Sequence, residues 1–356
     1  MDRKEMKYDI IHVIPKKFPY GAYAMLDELH FALDMHYSDK VNQSVYHLLQ
    51  DKGNPEHFAL NSTFVRTDRL LDTVKRKYSN PVIIFHKLAA TNCLDISKAV
   101  YNKIPFIIIN HTQTSSFSGI APCNRLVCVS KHMIKSARSR IPSYKRAFVR
   151  NGVNACRYDN IKAVKPDEVN GFFVTGRLNN LNNCKHPADW IPFVRSIDLS
   201  IPLWHDYVGS GRHSKEAANQ AGKKGRGPSR RNHVNLTGRI DIFDEKVAYI
   251  KRWDTFFYEI RGKEGTSMSL LESMACGVPA LINNKPGNME IIENGVNGFV
   301  YETRADAIKW LKDMSSNPNK LSDIKASTKE LFLEKYDAEH MARDYVQVIT
   351  EMLDEF

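Results

Sequence analysis

Short apolar runs alternate with helical stretches through the first half of the chain. Residues 10–14 (IIHVI) form one such run, which ends at Pro15, and apolar positions at helical spacing follow over residues 22–33. Further runs of the same kind lie at 81–85, 105–109 and 126–129. Short, fully apolar strands that alternate with helices are typical of a parallel sheet covered on both faces.

The same pattern starts again near residue 170. Apolar runs lie at 171–175, 203–208, 280–282 and 298–301, and helical stretches follow at 304–316 and 338–353. A polar segment with one proline, residues 162–168, separates the two halves. The pattern predicts an α/β fold of two doubly wound, Rossmann-like domains, which we expect to face each other across a cleft.

The predicted domains are residues 1–165 and residues 166–337. A C-terminal helix over residues 338–356 completes the chain, and we expect it to pack back on the first domain.

Composition narrows the class of protein. The 356 residues suit about two domains, and 42% hydrophobic with 26% charged residues is typical of a globular protein rather than a disordered one. No apolar run approaches the ~18 residues of a membrane span, and the charged start, MDRKEMKYD, lacks the apolar core of a secretory signal. The six cysteines are scattered without a C-x-x-C pair, which favours a reducing, cytoplasmic location over a zinc site or disulfide framework.

Positive charge is concentrated in the first half. The net charge is +11, and residues 1–165 hold 26 Lys and Arg against 13 Asp and Glu. This asymmetry favours a polyanionic partner, either a nucleic acid or an anionic membrane surface; a solvated basic face explains it equally well. A basic loop over residues 223–231 is a second candidate surface. The candidate contact residues in the first half are Arg66, Arg69, Lys75, Arg76, Lys77, Lys131, Lys135 and Arg138.

Residues 264–280 (EGTSMSLLESMACGVPA) carry the clearest chemical signal. Small and polar residues lead into a helix predicted from about Ser267, and the GVP run at 277–279 ends it. The free N–H groups and dipole at such a helix start attract phosphate. Glu264 and Glu272 can reach two parts of one elongated ligand, and carboxylates accept paired hydrogen bonds from sugar diols.

This segment resembles the donor-site signature of glycosyltransferase family 4, whose members are retaining enzymes with the two-Rossmann, B-type fold. The C-terminal half resembles the family almost throughout, and the N-terminal half resembles it only in short, separate segments. The motifs that carry the resemblance are VS at 129–130, NGVN at 151–154, VTGRL at 174–178 followed by Lys185, VGSG at 208–211, Glu264-x7-Glu272 with SMACGVPA at 273–280, and ENGVNGF at 293–299.

The resemblance implies that the first domain binds an acceptor and the second binds a nucleotide-diphosphate sugar. Glu264 would bind hydroxyls of the donor sugar, and Glu272 would hold the ribose. Arg177 and Lys185 would clamp the diphosphate and stabilise the charge that develops on it as it leaves. Replacement of Glu264 or Arg177 is then expected to abolish transfer while the fold survives.

Further site residues follow from the same resemblance. The implied catalytic residues are His111, Glu264, Arg177 and Lys185. The implied donor-binding residues are Gly21, Gly176, Arg177, Lys185, Gly209, Arg239, Glu264, Gly265, Glu272 and, through backbone N–H groups, Thr266, Ser267 and Met268.

We expect positively charged groups of the protein itself to stabilise the negative charge on the leaving group. The chain contains no Asp-x-Asp pair, the metal-binding motif of the other glycosyltransferase fold. We therefore expect no essential metal or cofactor, with a UDP-sugar as the favoured donor.

Three functions remain open at this stage. The leading hypothesis is a retaining hexosyltransferase whose acceptor is a lipid-linked or cell-envelope glycan, reached from a peripheral position at the inner membrane face. The second is a DNA glycosyltransferase that acts on hydroxymethylated bases, with the basic half along the phosphates. The third is a non-catalytic protein that binds a nucleotide-sugar.

Overall fold

A computed structural model describes residues 7–14, 20–49, 62–86, 103–111, 123–137, 141–164, 167–182, 185–222, 232–262 and 264–355. These residues divide into two compact units, each with its own parallel sheet. The first unit comprises the described residues up to Asn154 together with those from Ala338 onwards. The second comprises Ala155–Asp337.

The first unit is built on a seven-stranded sheet with the order β3-β2-β1-β4-β5-β6-β7. All neighbouring strands in it are parallel. Its elements before the second unit are β1 (Tyr8–Ile14), α1 (Tyr20–Tyr37), β2 (Val41–Leu49), β3 (Ser62–Arg66), α2 (Leu70–Lys77), β4 (Pro81–Phe85), β5 (Phe106–Asn110), β6 (Arg125–Cys128), α3 (Lys131–Ala137) and β7 (Arg146–Phe148).

The second unit is built on a six-stranded sheet with the order β10-β9-β8-β11-β12-β13, again with all pairs parallel. Its elements are α4 (Ala155–Asp159), β8 (Phe173–Leu178), α5 (Trp190–Ser196), β9 (Leu203–Val208), α6 (Ser214–Gly222), β10 (His233–Gly238), α7 (Phe243–Lys251), β11 (Thr255–Tyr258), α8 (Met268–Ala275), β12 (Ala280–Asn283), β13 (Gly298–Tyr301), α9 (Arg304–Ser316) and α10 (Pro318–Lys335).

The last helix, α11 (Ala338–Asp354), belongs to the first unit and packs along α1. One face of α11 is buried, and Met341, Tyr345 and Ile349 lie on it at helical spacing. The backbone N–H of Ala338 donates to the carbonyl oxygen of Val153, which ties the start of the helix to the end of the first unit's main segment.

Burial of the apolar runs explains why both sheets form. The five residues of β5 are all buried, as are the last five of β1. Strands that are buried on both faces need helices on both sides, and a parallel sheet with crossover helices provides them. The predicted α/β class with two Rossmann-like domains is confirmed.

The end of the first unit's main segment differs from the predicted boundary at residue 165. Residues 155–161 make their contacts with the second unit, because the Tyr158 ring packs on Phe243 and the Asp159 carboxylate pairs with Lys329. Lys251 also donates to the carbonyl oxygens of Asp159 and Ile161. A polar composition marks the linker, but these side-chain contacts decide which unit the segment joins.

Strand order reverses once in each sheet, at β1 and at β8. β1 lies between β2 and β4 in the first sheet, and β8 lies between β9 and β11 in the second. Connections leave in opposite directions at such a point, and the crevice at the carboxyl ends of the strands is where open α/β sheets bind ligands. Ligand sites are therefore expected after β8 and β11, and after β1 and β4.

A buried aspartate anchors β9, the strand next to the edge strand β10 of the second sheet. Asp206 lies on β9 and is fully buried. Its carboxylate accepts hydrogen bonds from Arg252 (2.7 and 2.5 Å) and from the indole N–H groups of Trp253 (2.8 Å) and Trp204 (2.9 Å). Asn235 donates a further one at 3.0 Å. A buried charge is tolerated when it is paired and fully hydrogen-bonded, as this one is.

We expect Asp206→Ala to lower the free energy of unfolding by about 3–5 kcal/mol, because the Arg252 charge then stays buried without its partner. Urea unfolding followed by tryptophan fluorescence measures this, since two indoles contact the carboxylate. The matched control, Asp241→Ala, removes an exposed ion pair with Arg239 and should leave the midpoint close to wild type. Equal losses in the two variants would contradict the role given to Asp206.

Candidate functional site

The candidate site lies at the carboxyl ends of β8 and β11, beside the strand-order reversal of the second sheet. Arg177 is the last but one residue of β8, and Lys185 follows in the next loop. Tyr258 ends β11, and Glu264 stands in the loop before α8. The fold brings Lys185, Tyr258 and Glu264 into direct contact.

Glu264 is held by three side chains. The Lys185 ammonium donates to Oε1 of Glu264. The Tyr258 hydroxyl and the Asn288 amide donate to Oε2, at 3.2 and 3.1 Å. Burial and the adjacent carboxylate raise the pKa of Tyr258 well above its ordinary value, so the hydroxyl stays protonated and donates. The Glu264 carboxylate is thus oriented and paired with a cation before any ligand arrives.

Asn288 joins this carboxylate to the start of α8. Its Nδ2 donates to Glu264, and its Oδ1 accepts from the backbone N–H of Ser267 at 3.1 Å. The preceding Gly287 has φ +92°, and a Cβ there would lie 2.1 Å from the carbonyl oxygen of Gly265. Only glycine allows this approach. Sequence reasoning missed Asn288, although the turn-forming run Pro286-Gly287-Asn288 was a signal for it.

Glu272 has its own cation. The side chain lies on α8 and is buried, and Lys246 of α7 donates to its Oε1 at 2.9 Å. The Lys246 ammonium is also buried and lies 5.1 Å from the centre of the Phe243 ring. One carboxylate oxygen of Glu272 is therefore committed to the protein. Lys246 lay outside the predicted site because nothing in its local sequence links it to Glu272.

Arg177 is fully buried. Its Nε donates to Asn179 at 2.9 Å, and its Nη2 donates to the carbonyl oxygens of Lys185 and Glu259. The guanidinium also lies within 4.6 to 5.1 Å of three ring centres. Those rings belong to Trp190, Tyr207 and Tyr258. Nη1 has no hydrogen-bond partner in the described residues.

The burial of Arg177 changes one expectation from the sequence. Removing a guanidinium that holds two backbone carbonyls and fills an aromatic pocket leaves a cavity and unsatisfied acceptors. We therefore expect Arg177→Ala to lower the stability of the second unit as well as activity. The variant does not separate catalysis from folding.

The glycine before this arginine has a packing role in the structure. A Cβ on Gly176 would lie 1.9 Å from the Trp253 ring, and Trp253 is itself fully buried. The absence of a side chain lets the indole lie directly on β8. Gly209 lies against the loop after β8, and its backbone N–H donates to the carbonyl oxygen of Gly238 at 2.7 Å.

The start of α8 presents the predicted backbone amides. Gly265, Ser267 and Met268 are buried, and Thr266 is partly buried. The Ser267 N–H is already donated to Asn288, so this amide must exchange its partner before it can meet a phosphate. Arg239 follows β10 on an exposed surface, where it pairs with Asp241.

Two predicted residues lie in the first unit. Gly21 is the second residue of α1 and is exposed. His111 directly follows β5, and its ring stacks on that of His86, with 6.0 Å between ring centres and 18° between planes.

The basic candidates on α2 form a charged face without an apolar one. Leu70, Leu71 and Val74 point into the core, so they are not available to insert into a membrane. The exposed basic residues of this region are Arg66, Arg69, Lys75, Arg76 and Lys77. Asp68 pairs with Arg66 and Arg69, which leaves the last three as the main positive cluster.

Lys131 and Lys135 are exposed on α3. Arg138 and the loop over residues 223–231 lie outside the described residues.

Across the described residues, no group of three or more His, Cys, Asp or Glu side chains is arranged to hold a metal ion. In the same part of the chain, no helix combines the length and apolar character needed to span a bilayer.

A family model matches the part of the chain that contains these residues of the second unit. Residues 164–331 match the family model described as glycosyl transferases group 1. An uncharacterized glycosyltransferase of Methanocaldococcus jannaschii is 26% identical over 200 residues, which cover 56% of this chain and 48% of the relative. The alignment thus spans about half the length of that curated relative.

Solved structures share the whole fold at low sequence identity. Anabaena HepE in complex with UDP has a TM-score of 0.75 at 15% identity, covering 97% of this chain and 100% of that one. The lipopolysaccharide outer core galactosyltransferase WaaB has a TM-score of 0.65 at 14% identity, covering 96% and 99%. Residues 164–331 therefore resemble a glycosyl transferases group 1 domain, and the chain has the B-type glycosyltransferase fold of these solved structures.

Proposed function

We propose that this protein is a retaining glycosyltransferase of family 4 that transfers a hexose from a UDP-sugar without a metal ion. The observation that carries the proposal is the Glu264 carboxylate, held by Lys185, Tyr258 and Asn288 beside the start of α8. An oriented carboxylate next to a lysine and a helix N-terminus suits one ligand that has sugar hydroxyls and phosphates. The complexes of Anabaena HepE with UDP and with UDP-glucose support a donor of this class.

Glu264 acts as a binding group for the sugar in this proposal. Its two oxygens already accept hydrogen bonds from three donors, and carboxylate oxygens retain lone pairs for hydroxyl groups. A carboxylate whose oxygens are engaged by a lysine and two further hydrogen-bond donors is a weak nucleophile. Retention of configuration is proposed on the family resemblance of the Glu264-x7-Glu272 segment.

Lys185 and the amides of α8 would stabilise the departing diphosphate. Negative charge grows on the leaving group as the sugar centre becomes oxocarbenium-like. Fixed cations and N–H dipoles stabilise that charge without having to reorganise during the reaction. Arg177 contributes its positive field and holds the backbone of Lys185 and Glu259 in place. These groups supply the charge that a metal supplies in other transferases.

Glu272 would bind the ribose with the oxygen that Lys246 leaves open. Lys246 pairs with the buried carboxylate and holds its orientation. The paired hydroxyls of a ribose then meet a preoriented acceptor.

The favoured acceptor is a lipid-linked or envelope glycan at an anionic membrane surface, where the protein would sit peripherally. The exposed cluster of Lys75, Arg76 and Lys77 supports an anionic partner, and each such residue adds about 1 kcal/mol near an anionic bilayer. The fold shared with an outer core galactosyltransferase is consistent with this class of acceptor.

A second candidate acceptor is DNA with hydroxymethylated bases. The buried apolar side of α2 favours it, because a face that is only charged binds phosphates through ion pairing and cannot insert among lipid chains. If no assay detects transfer, the remaining alternative is a non-catalytic protein that binds a nucleotide-sugar.

We expect Glu264→Gln to reduce transfer at least 100-fold while UDP binds within a fewfold of wild type, because the carboxylate contacts the sugar rather than the nucleotide. Turnover of a UDP-hexose and calorimetry with UDP measure the two effects. The control Glu302→Gln changes an exposed carboxylate that pairs only with Asn284 in the described residues. Transfer at the wild-type rate in Glu264→Gln would remove Glu264 from the site.

We expect Glu272→Gln to weaken UDP binding about tenfold, since a hydrogen bond from ribose to a charged acceptor becomes a neutral one. Calorimetry with UDP and with 2′,3′-dideoxy-UDP forms a double cycle that isolates the ribose contact. The variant and the missing hydroxyls should cost less together than the sum of their separate effects. Fully additive losses would show that Glu272 does not bind the ribose; Glu293→Gln is the exposed control.

The acceptor is tested by sugar transfer in the presence of EDTA, with a panel of UDP-, GDP- and ADP-sugars. We expect transfer to lipid extract in anionic vesicles, unaffected by EDTA, and reduced when Lys75, Arg76 and Lys77 are replaced by Gln. Transfer only to hydroxymethylcytosine DNA would support the second acceptor instead. Dependence on an added divalent ion would refute the metal-independent mechanism.

A further inference from the structure

A row of polar side chains crosses four strands of the first sheet and ends at the carboxyl ends of β4 and β5. The row runs over four adjacent strands in the order β2, β1, β4, β5. Gln43 lies on β2, His12 on β1, His86 directly after β4 and His111 directly after β5. The first three are joined by hydrogen bonds, and His86 stacks on His111.

The surface end of the row fixes the orientation of Gln43. Its amide nitrogen donates to the carbonyl oxygen of His30 at 2.9 Å and to the carboxylate of Asp34 at 2.6 Å, both on α1. Both of these partners can only accept, so the amide nitrogen must face α1. The amide oxygen of Gln43 therefore faces His12, 3.0 Å from Nε2.

This orientation decides which nitrogen of each ring carries a proton. His12 Nε2 meets an acceptor, so it must be the N–H. In a neutral ring the other nitrogen is then an acceptor, and His12 Nδ1 lies 2.9 Å from His86 Nε2. His86 Nε2 must donate, which makes His86 Nδ1 an acceptor as well. Every donor in the row points towards α1.

Both inner histidines are neutral. His12 and His86 are completely buried. Burial, together with the neighbouring His30, lowers the pKa of His12 to about 3. Burial, His12 and His111 lower the pKa of His86 well below its ordinary value. Among the described residues, the titratable groups that face the row are His30 and Asp34 at one end and His111 at the other.

We propose that Gln43, His12 and His86 form a one-directional hydrogen-bond row that positions His111 for sugar transfer. His86 is a positioning residue: its fixed tautomer and fixed ring plane set the orientation of the His111 ring stacked on it. The inference rests on the proposed function and on the family resemblance, which implies that His111 is a catalytic residue. The row itself is a property of the folded chain and is tested without substrate.

The first test is nitrogen NMR of the full chain labelled with ¹⁵N-histidine. We expect His12 and His86 to be Nε2–H tautomers, with signals that do not change between about pH 5 and 8. Single His→Asn variants assign the signals. A proton on Nδ1 of either ring, or a titration of either ring in this range, would overturn the row.

The second test uses Gln43→Leu, which removes the acceptor of His12 Nε2–H. We expect part of the His86 signal to move to the Nδ1–H form and kcat to fall about 10- to 100-fold, because a small misorientation of a group at the reacting centre has effects of this size. The affinity for UDP, measured by calorimetry, should stay at the wild-type value. The control is Ser44→Ala, the next residue on β2, whose hydroxyl accepts from Tyr78 and whose side chain lies on the opposite face of the strand from Gln43.

The outcomes separate this inference from the proposed function. Displaced tautomers in Gln43→Leu with wild-type kcat would refute the positioning role. If the wild type transfers no sugar, the proposed function fails and the positioning role fails with it, while the tautomers still decide whether the row exists. If Gln43→Leu does not fold, the wild-type spectra decide the row, and His86→Asn replaces it in the kinetic comparison.

Discussion

The site of the second unit depends on one fully buried guanidinium. Arg177 lies near the end of β8 and donates to the backbone carbonyls of Lys185 and Glu259, which belong to two different loops. The aromatic rings around it exclude water, so these hydrogen bonds act in a medium of low dielectric constant and hold firmly. The positions of Lys185 and of the loop that leads to Glu264 follow from this contact.

Pairing of buried charges gives the site its preorganised character. Glu264 and Glu272 each have a lysine of their own, Lys185 and Lys246, so neither carboxylate is left uncompensated. A buried carboxylate is tolerated when it is paired with a cation and hydrogen-bonded. The two pairs therefore hold both carboxylates in fixed positions. Asn288 adds geometry, since it links Glu264 to the first turn of α8.

The first unit has a different electrostatic organisation. Its polar interior holds neutral histidines, whereas its surface carries the excess of positive charge. The apolar side chains of α2 complete the core, and only the basic side faces solvent. Such a face attracts anions at long range and loses strength as salt rises. Recognition of an acceptor by this unit would thus begin with charge rather than with apolar insertion.

The sequence by itself determined the fold class, because apolar runs of strand length between helices can be buried only in parallel sheets with helices on both faces. Its motifs of fixed spacing also indicated Lys185, Glu264 and Glu272 as candidate site residues. The tertiary structure alone decided that Arg177 is buried, that Asn288 and Lys246 are the partners of the two glutamates, and that residues 155–161 pack with the second unit. Periodicity in the sequence shows that a residue faces inwards. It does not show which partner that residue contacts, because the partner comes from a distant part of the chain.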